Sequence, residues 1–533
     1  MKRGWIWIIL LLLTIPTFSL MLRPGIFTMH DPHLFRIFEF NECFTSGQFP
    51  CRWSANSAKG YGVPLFNFYT QVPYWFVQIF IVAGFSILNS AKIVYLLSLV
   101  LSAFSMYALA RTYWGKSGAL VSAVFYVYAP YRAVDVWVRG ALPEALAFVI
   151  YPLVILYLDR FLETRNTKSL LLFSLCLALL INIHNLSFLM FLPFLFIYWF
   201  FRSFQKHDFS NLKQLLPAGL LSLSLSAFYL LPVLFESKFV TLSDTVTGYY
   251  NYRVHFATLK ELFVSRFWGY GASLWAQKYL SISIGQLHWI LPLSLFLGWL
   301  VAKKKNSSFG LFFFFGLFAL FLTHGKSSFI WSIFQPMKYI QFPWRFLSIA
   351  VFFVSLSVGY IGKVVKEFKY LPILLAGVIL VNFNFFRPDI WRPITDKEQF
   401  TGELWDEGRS SSLTDFWPIY GEHAPTDFAP VNSGISKNSD KSVYQLNADT
   451  ESDQIILPQV YFPGWSGKLD YREIKLDYEN KLGLIKVVVP QGRHQLVLKF
   501  RNTPVRSIGN VVSLLALFIF TICFFQKKPS GSF

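Results

Sequence analysis

Apolar runs of about 15–20 residues recur along this chain between short charged breaks, and that pattern commits it to a membrane. The runs cover 5–22, 91–110, 117–131, 143–158, 169–183, 186–201, 214–232, 286–301, 309–323, 343–361, 371–386 and 508–525. Only 14% of the residues are charged, against about 25% in soluble proteins. The sequence therefore predicts a polytopic α-helical membrane protein of about twelve spans. The first run follows Met1-Lys2-Arg3, lacks a small-residue cleavage site and continues into "RPG", the pattern of a signal anchor with a cytoplasmic N-terminus.

The net charge of +19 raises the question of nucleic acid. Its distribution answers it. Basic residues occupy every second break: Arg111/Lys116, Arg160/Arg165/Lys168, Arg202/Lys206/Lys213, Lys303–Lys305, Lys363/Lys366/Lys369 and Lys527/Lys528. With Lys2 and Arg3, and with only four acids among them, these breaks carry most of the excess. That is the positive-inside rule and not a nucleic-acid patch. It places both termini in the cytoplasm of a multi-pass plasma-membrane protein. One further apolar stretch, 72–88, would invert every later loop if it crossed. It is read as a re-entrant or membrane-surface helix on the external side, the alternative being a thirteenth span.

The same parity puts loops 23–90, 132–142, 233–285 and 324–342 on the external face, with a longer segment at 387–507. In that segment "GLIKVVVPQGRHQLVLKF" gives two β-type runs broken at Pro490-Gln491-Gly492. Residues 430–505 are thus expected to form a small β-sandwich tethered by the last two spans. Cys176 and Cys523 lie within spans; Cys43 and Cys51 share the first external loop, as a disulfide or as two free buried thiols.

No P-loop, dinucleotide fingerprint, zinc-protease helix or nucleophile elbow is present. What remains is a set of ionisable residues at the external membrane surface, where an unpaired charge is costly and so marks a working site. In "HDPHLFRIFEF" these are His30, Asp31, His33, Arg36 and Glu39, with Asp31 alternatively a helix cap ahead of Pro32. Arg52 and Trp53 precede a Gly- and aromatic-rich turn suited to a flat polar ligand such as a sugar. The second loop, "YAPYRAVDVWVRGALPEALAF", adds Arg132, Asp135, Arg139 and Glu144. These side chains either pair with one another or act on substrate. Asp31 and Asp135, from separate loops, can share general-base work or a divalent metal. His184 ends its span externally, as a satisfied buried histidine or a ligand. In the fourth loop His324, Lys338 and Arg345 either anchor at the interface or meet a lipid phosphate or diphosphate.

The stretch "HDPHLFRIFEF…SGQFPCRWSANSAKGYGVPLFNFYTQVPYW" resembles the opening of the membrane proteins called 6-pyruvoyl-tetrahydropterin synthase-related. The agreement lies in Asp31, His33, Arg36, the Gly47/Pro50/Arg52/Trp53 group and "GYGVPLFNFY". "VRGALPEALAF", "QFPWRFL" and "YFPGW…VVVPQGRHQLVLKFRNTPVRSIG" extend the resemblance over nearly the whole chain. No His-rich zinc set of the soluble pterin enzyme accompanies it. The family is in turn similar to GT-C glycosyltransferases, and the tail to membrane proteins related to lipoteichoic-acid glycosylation. The resemblance implies a GT-C-like transmembrane domain over 1–386, an extracytoplasmic linker and β-sandwich over 387–507, and a last helix with a cytoplasmic tail over 508–533. It implies transfer of a sugar from a polyprenyl phosphate or diphosphate to an envelope glycan or lipid acceptor, with Asp31 as the catalytic base or metal-positioning acid and Asp135 as its second-loop counterpart. Pro32 stands where some GT-C branches carry a second acid, which leaves a divalent ion (Mg or Mn) open. A transporter or flippase of an envelope precursor, and a non-catalytic scaffold, are the alternative readings.

Overall fold

A computed structural model describes residues 4–242, 245–274, 280–365, 368–411, 416–430 and 435–526. The charged residues Lys2, Arg3, Lys366, Glu367, Lys527 and Lys528 lie outside the described residues, as does the tail beyond 526. Parts of the expected linker and sandwich, 412–415 and 431–434, do too.

The protein is a polytopic helical membrane protein. Among the described residues six helices are long and apolar enough to cross a bilayer: Trp5–Leu22, Ile87–Val127, Leu142–Thr164, Asn185–Gln205, Pro343–Val364 and Pro504–Phe525. A seventh is added if Leu212–Leu225 and Ala227–Phe239 form one bent span. Shorter apolar helices occupy Val72–Val82, Thr167–Ile183, Gln286–Val301, Ser307–Thr323 and Leu371–Phe385. The runs 91–110 and 117–131 fall on either side of Gly115, where the helix Ile87–Val127 is interrupted at φ +72°. A helix of 16 or 17 residues rises only about 25 Å, slightly less than a bilayer core of about 30 Å. This is why the count by helix length falls below the count by apolar runs. Val72–Val82, with 11 residues, rises about 16 Å and is too short to cross by itself.

The chain forms two compact units. The first comprises Met1–His33, Leu88–Ser222 and Val246–Ile394. Hydrocarbon offers its helices no hydrophobic reason to associate, so close packing must do the work. A β-carbon on Gly118 would collide with the Gly359 carbonyl, and one on Gly359 with Ser122 and Trp114. The two backbones therefore touch there, and Trp114 Nε1 donates to the Leu356 carbonyl at 2.6 Å. Around this contact phenylalanines interlock: Phe353 meets Phe315 at 4.9 Å and Phe194 at 5.6 Å. An antiparallel pair, β1 (Ile26–Phe27) with β2 (Trp391–Arg392), holds the chain after the first helix.

The second unit comprises Leu34–Ile87, Leu223–Thr245 and Thr395–Phe533. Residues 34–87 of the first loop thus group with the β-rich C-terminal region, a grouping that chain order does not suggest. A disulfide joins Cys43, in the helix His33–Thr45, to Cys51, which resolves the two readings of those thiols. The C-terminal strands are β3 (Ile435–Lys437), β4 (Lys441–Ala448), β5 (Asp453–Val460), β6 (Trp465–Leu469), β7 (Arg472–Ile474), β8 (Leu484–Val489) and β9 (Gly492–Phe500). They form a five-stranded sheet in the order β3-β4-β9-β6-β7 and a separate β5-β8 pair, all pairings antiparallel. Alternate residues of β9, Leu496, Leu498 and Phe500, are buried, as a half-exposed strand requires. From β4, Ser442 and Tyr444 donate to Gln459 Oε1 on β5 at 2.8 and 3.0 Å, joining the two sheets.

The glycine contact in the first unit can be tested by overpacking. Gly359→Leu should lower the thermal unfolding midpoint in detergent, by the equivalent of about 1–3 kcal/mol. Gly377→Leu, at a position where a β-carbon meets nothing within 4 Å, should leave the midpoint unchanged.

Candidate active site

The first unit gathers most of the charged residues singled out by the sequence. A short helix, Pro130–Ala133, runs into a π-helical turn, Val134–Arg139. Wide turns of this kind are rare and frequent at functional sites. Asp135 and Arg139 share one face of it. Gly140 ends the turn at φ +62°, and a β-carbon there would lie 2.5 Å from Met29 Cγ. Only glycine suits that conformation and that approach. The next helix, Leu142–Thr164, opens with Pro143 and carries Glu144 in its first turn.

Asp31 is set against this turn by backbone bonds. The His30 and Asp31 N–H groups donate to the Val138 and Arg139 carbonyls at 3.1 and 2.9 Å. Thr28 N–H donates to Ile390 at 3.0 Å, continuing the β1–β2 pairing. Tyr270 OH reaches the Met29 carbonyl at 2.7 Å and its ring lies 5.4 Å from that of His30.

Arg139 is the hub. Its Nη1 donates to Glu144 Oε2 at 2.6 Å and to Asp135 Oδ1 at 3.1 Å, and its Nη2 lies 3.6 Å from Asp31 Oδ2. Its guanidinium also sits 4.9 Å from the Trp344 ring, a favourable cation–π arrangement. Glu144 accepts a second bond, from Tyr131 OH at 2.7 Å. Asp135 is paired from its other side by Arg132 Nη1 at 3.3 Å, and Arg132 Nη2 in turn donates to Ser98 and the Ala145 carbonyl.

The two predicted acids therefore differ. Asp135 is 0% exposed, between two arginines; Asp31 is 30% exposed. Burial and neighbouring Glu144 push the Asp135 carboxyl well above the usual range, against the pull of Arg139 and Arg132. Burial acts the same way on Asp31, but neighbouring His30, Arg139 and His33 outweigh it and hold that carboxyl low. Only Asp31 is both ionised and reachable.

The remaining residues divide clearly. His33 is buried with Nε2 at 3.9 Å from Asp31 Oδ2, and His30 Nδ1 is 3.9 Å from Oδ1. His184 accepts or donates a 2.6 Å bond with Ser187 Oγ. Burial drives its ring down to about 4, with Arg345 and Arg139 acting in the same direction and Glu144 opposing. Arg345 is held by the Ile340 carbonyl at 2.8 Å and Gln341 at 3.2 Å. His324 caps a short turn through the Lys326 N–H at 3.2 Å, a structural task, and Lys338 rests over the Tyr339 ring at 5.3 Å. Neither reaches Asp31 by a hydrogen bond or an ion pair among the described residues.

Arg36, Glu39, Arg52 and Trp53 belong to the second unit and are used in its packing. Arg36 lies 4.2 Å from the Tyr69 ring. Glu39 accepts from Ser54 Oγ at 2.7 Å and from Asn56 N and Nδ2 at 3.0 and 2.7 Å. Trp53 is fully buried against Trp465 and Phe500, so its ring is not presented to a sugar. Sequence reasoning missed Tyr131 and Tyr270 as site residues. The first had a signal in its place beside Arg132; the second had none.

Among the described residues no three His, Cys, Asp or Glu side chains gather as metal ligands. Arg139 lies between the carboxylates of Asp31 and Asp135, a donor set that does not fit a divalent ion shared by the two.

Residues 70–231, which carry Asp135, Arg139, Glu144 and His184, match the family model "Dolichyl-phosphate-mannose-protein mannosyltransferase". Among solved structures, the arabinofuranosyltransferase AftD from Mycobacteria is similar over 74% of this chain at 13% identity, with a TM-score of 0.47; a mutant form gives 0.49. ArnT from Cupriavidus metallidurans, solved bound to undecaprenyl phosphate, is similar over 72% of this chain at 12% identity, with a TM-score of 0.44. The chain spans 28% and 29% of the two AftD chains and 64% of ArnT. A comparison with curated proteins finds no match.

Arg139→Gln leaves Asp135 and Glu144 without their shared countercharge and should cost about 3–5 kcal/mol of stability, the usual effect of breaking a buried pair. Asp31→Asn, at a partly exposed site, should cost less than about 1 kcal/mol; thermal unfolding in detergent compares them. For His184 the folded ring binds its proton only near pH 4, while the unfolded ring does so near 6.5. Stability is therefore full above pH 6.5 and falls as the pH drops towards 4. His184→Gln should flatten that part of the pH–stability profile.

Proposed function

We propose that this protein is a membrane glycosyltransferase of the GT-C kind, moving a sugar from a polyprenyl phosphate or diphosphate to a cell-envelope acceptor on the extracytoplasmic face. In this reading the shorter apolar helices complete about twelve spans, Val72–Val82 stays at the surface, both termini are cytoplasmic, and the paired C-terminal sheets act as an extracytoplasmic sandwich. The observation that carries the proposal is a reachable, ionised Asp31 fixed by backbone bonds beside Arg139, with Arg345 and His184 in the same electrostatic neighbourhood. The family match over 70–231 supports it. So does the position of the charges, at a helix end and its preceding turn; a transporter places them near the bilayer midplane.

The chemistry divides between these groups. Asp31 accepts a hydrogen bond from the acceptor hydroxyl and takes its proton as that oxygen bonds to the anomeric carbon. The bond from the anomeric carbon to the phosphate oxygen breaks, and its electron pair leaves with the lipid phosphate. Arg139 and Arg345 stabilise the growing negative charge. A carboxylate held low is a weak base at rest. A phosphate that draws Arg139 Nη2 away from Asp31 raises its basicity when the donor is bound. The loose 3.6 Å contact allows that exchange.

With a polyprenyl-phosphate sugar and an envelope acceptor supplied to the purified protein, Asp31→Asn should reduce kcat by about 100-fold or more, with its unfolding midpoint unchanged. Turnover at the wild-type rate would remove Asp31 from the mechanism.

A further inference from the structure

The second unit contains a polar cleft of about 380 Å³ that the transferase reading does not use. Its lining includes Gln48, Phe49, Arg52, Asp440, Lys499 and Arg501. Three cations face one carboxylate. Arg52 is 1% exposed; its main-chain N–H donates to Gln48 Oε1 at 2.8 Å and its Nη2 to Asn510 Oδ1 at 2.9 Å. Its Nε and Nη1 meet no acceptor. Buried donors left without partners are rare in folded proteins and call for a ligand or water. The guanidinium brings these donors and its delocalised positive charge beside Lys499 and Arg501, a set that suits a phosphate.

The position of the cleft narrows the ligand. Asn510 lies in the helix Pro504–Phe525, long and apolar enough to span, while Lys499 and Arg501 stand within five residues of its start. The cleft is therefore level with the headgroup end of that span, where Lys and Arg meet lipid phosphates. Phe49 is 67% exposed at its rim and packs on Trp75 at 5.2 Å. From Trp75 the helix Val72–Val82 continues the apolar surface through exposed Ile79 and Val82. A phosphate in the cleft thus has a ridge beside it that fits acyl chains.

We propose that this cleft binds a phosphate group at the membrane surface, with Arg52, Lys499 and Arg501 as its ligands and Phe49 against the attached chain when the phosphate is carried on a lipid. The site does not depend on the transferase reading, and its test measures binding and not turnover.

Titration of the full-length protein in neutral detergent with dihexanoyl phosphatidic acid, and separately with inorganic phosphate, distinguishes the sources. Binding of the lipid at least tenfold tighter than phosphate assigns a headgroup; equal binding assigns free phosphate. In either case Lys499→Gln/Arg501→Gln, exposed positions that leave the fold intact, should weaken binding at least tenfold, as should Arg52→Gln. Arg472→Gln/Lys475→Gln, which removes two exposed cations outside the cleft, should have no effect. Failure of both probes to bind, or equal weakening by the control pair, would overturn the site.

Discussion

One guanidinium organises the candidate site. Arg139 lies within 4 Å of Asp31, Asp135 and Glu144, three acids from three segments of chain, and it rests on Trp344 from a fourth. A buried carboxylate without such a partner costs several kcal/mol, so the loop after the first helix, the π-helical turn and the first turn of Leu142–Thr164 must converge there together. A lysine could not replace it, because a single ammonium lacks the planar fork that serves several oxygens at once. The difference between Asp31 and Asp135 is a product of the same convergence. One acid is enclosed by two arginines and shut off from solvent; the other keeps a face to solvent.

A second buried pair does comparable work in the other unit. Arg506 donates from Nε to Glu236 at 2.8 Å and from Nη2 to the Pro463 carbonyl at 2.8 Å. Asn67 adds a bond to Glu236 at 2.7 Å. The last span, the helix Ala227–Glu236 and the β-rich region are thereby joined at one point. Gly509 allows the two helices to approach, since a β-carbon there would lie 2.7 Å from the Ala227 carbonyl. Both units use a buried arginine to join remote segments, and both use glycines where two backbones approach closely.

Much of this was legible in the chain. The apolar runs became helices with nearly the expected limits at 286–301 and 309–323, observed as Gln286–Val301 and Ser307–Thr323. The acids and cations of the second loop were recognisable as a group because an ionisable residue beside a span has few inexpensive options. The roles inside the group were not legible. Asp31 and Asp135 carry the same side chain, and only the positions of Arg132 and Arg139 make one a buried partner and the other a reachable carboxylate. Arg36, Glu39 and Trp53 carried the same kind of signal as Asp31. Their burial in the second unit, against Tyr69, Asn56 and Trp465, depends on segments far away in sequence.

By itself the sequence determined that the chain is a polytopic helical membrane protein with a β-rich C-terminal region, and that its notable ionisable residues stand in the loops beside the spans. Hydropathy, alternation and the cost of burying charge are local properties that a linear reading can sum. Only the tertiary structure decided that Arg139 would link Asp31 and Asp135, that residues 34–87 of the first loop would group with the C-terminal strands, and that Arg52 would keep two unpartnered donors in a cleft. Each of these depends on contacts between segments remote along the chain, and the free energy of such contacts is set by packing and bonding geometry that no local pattern records.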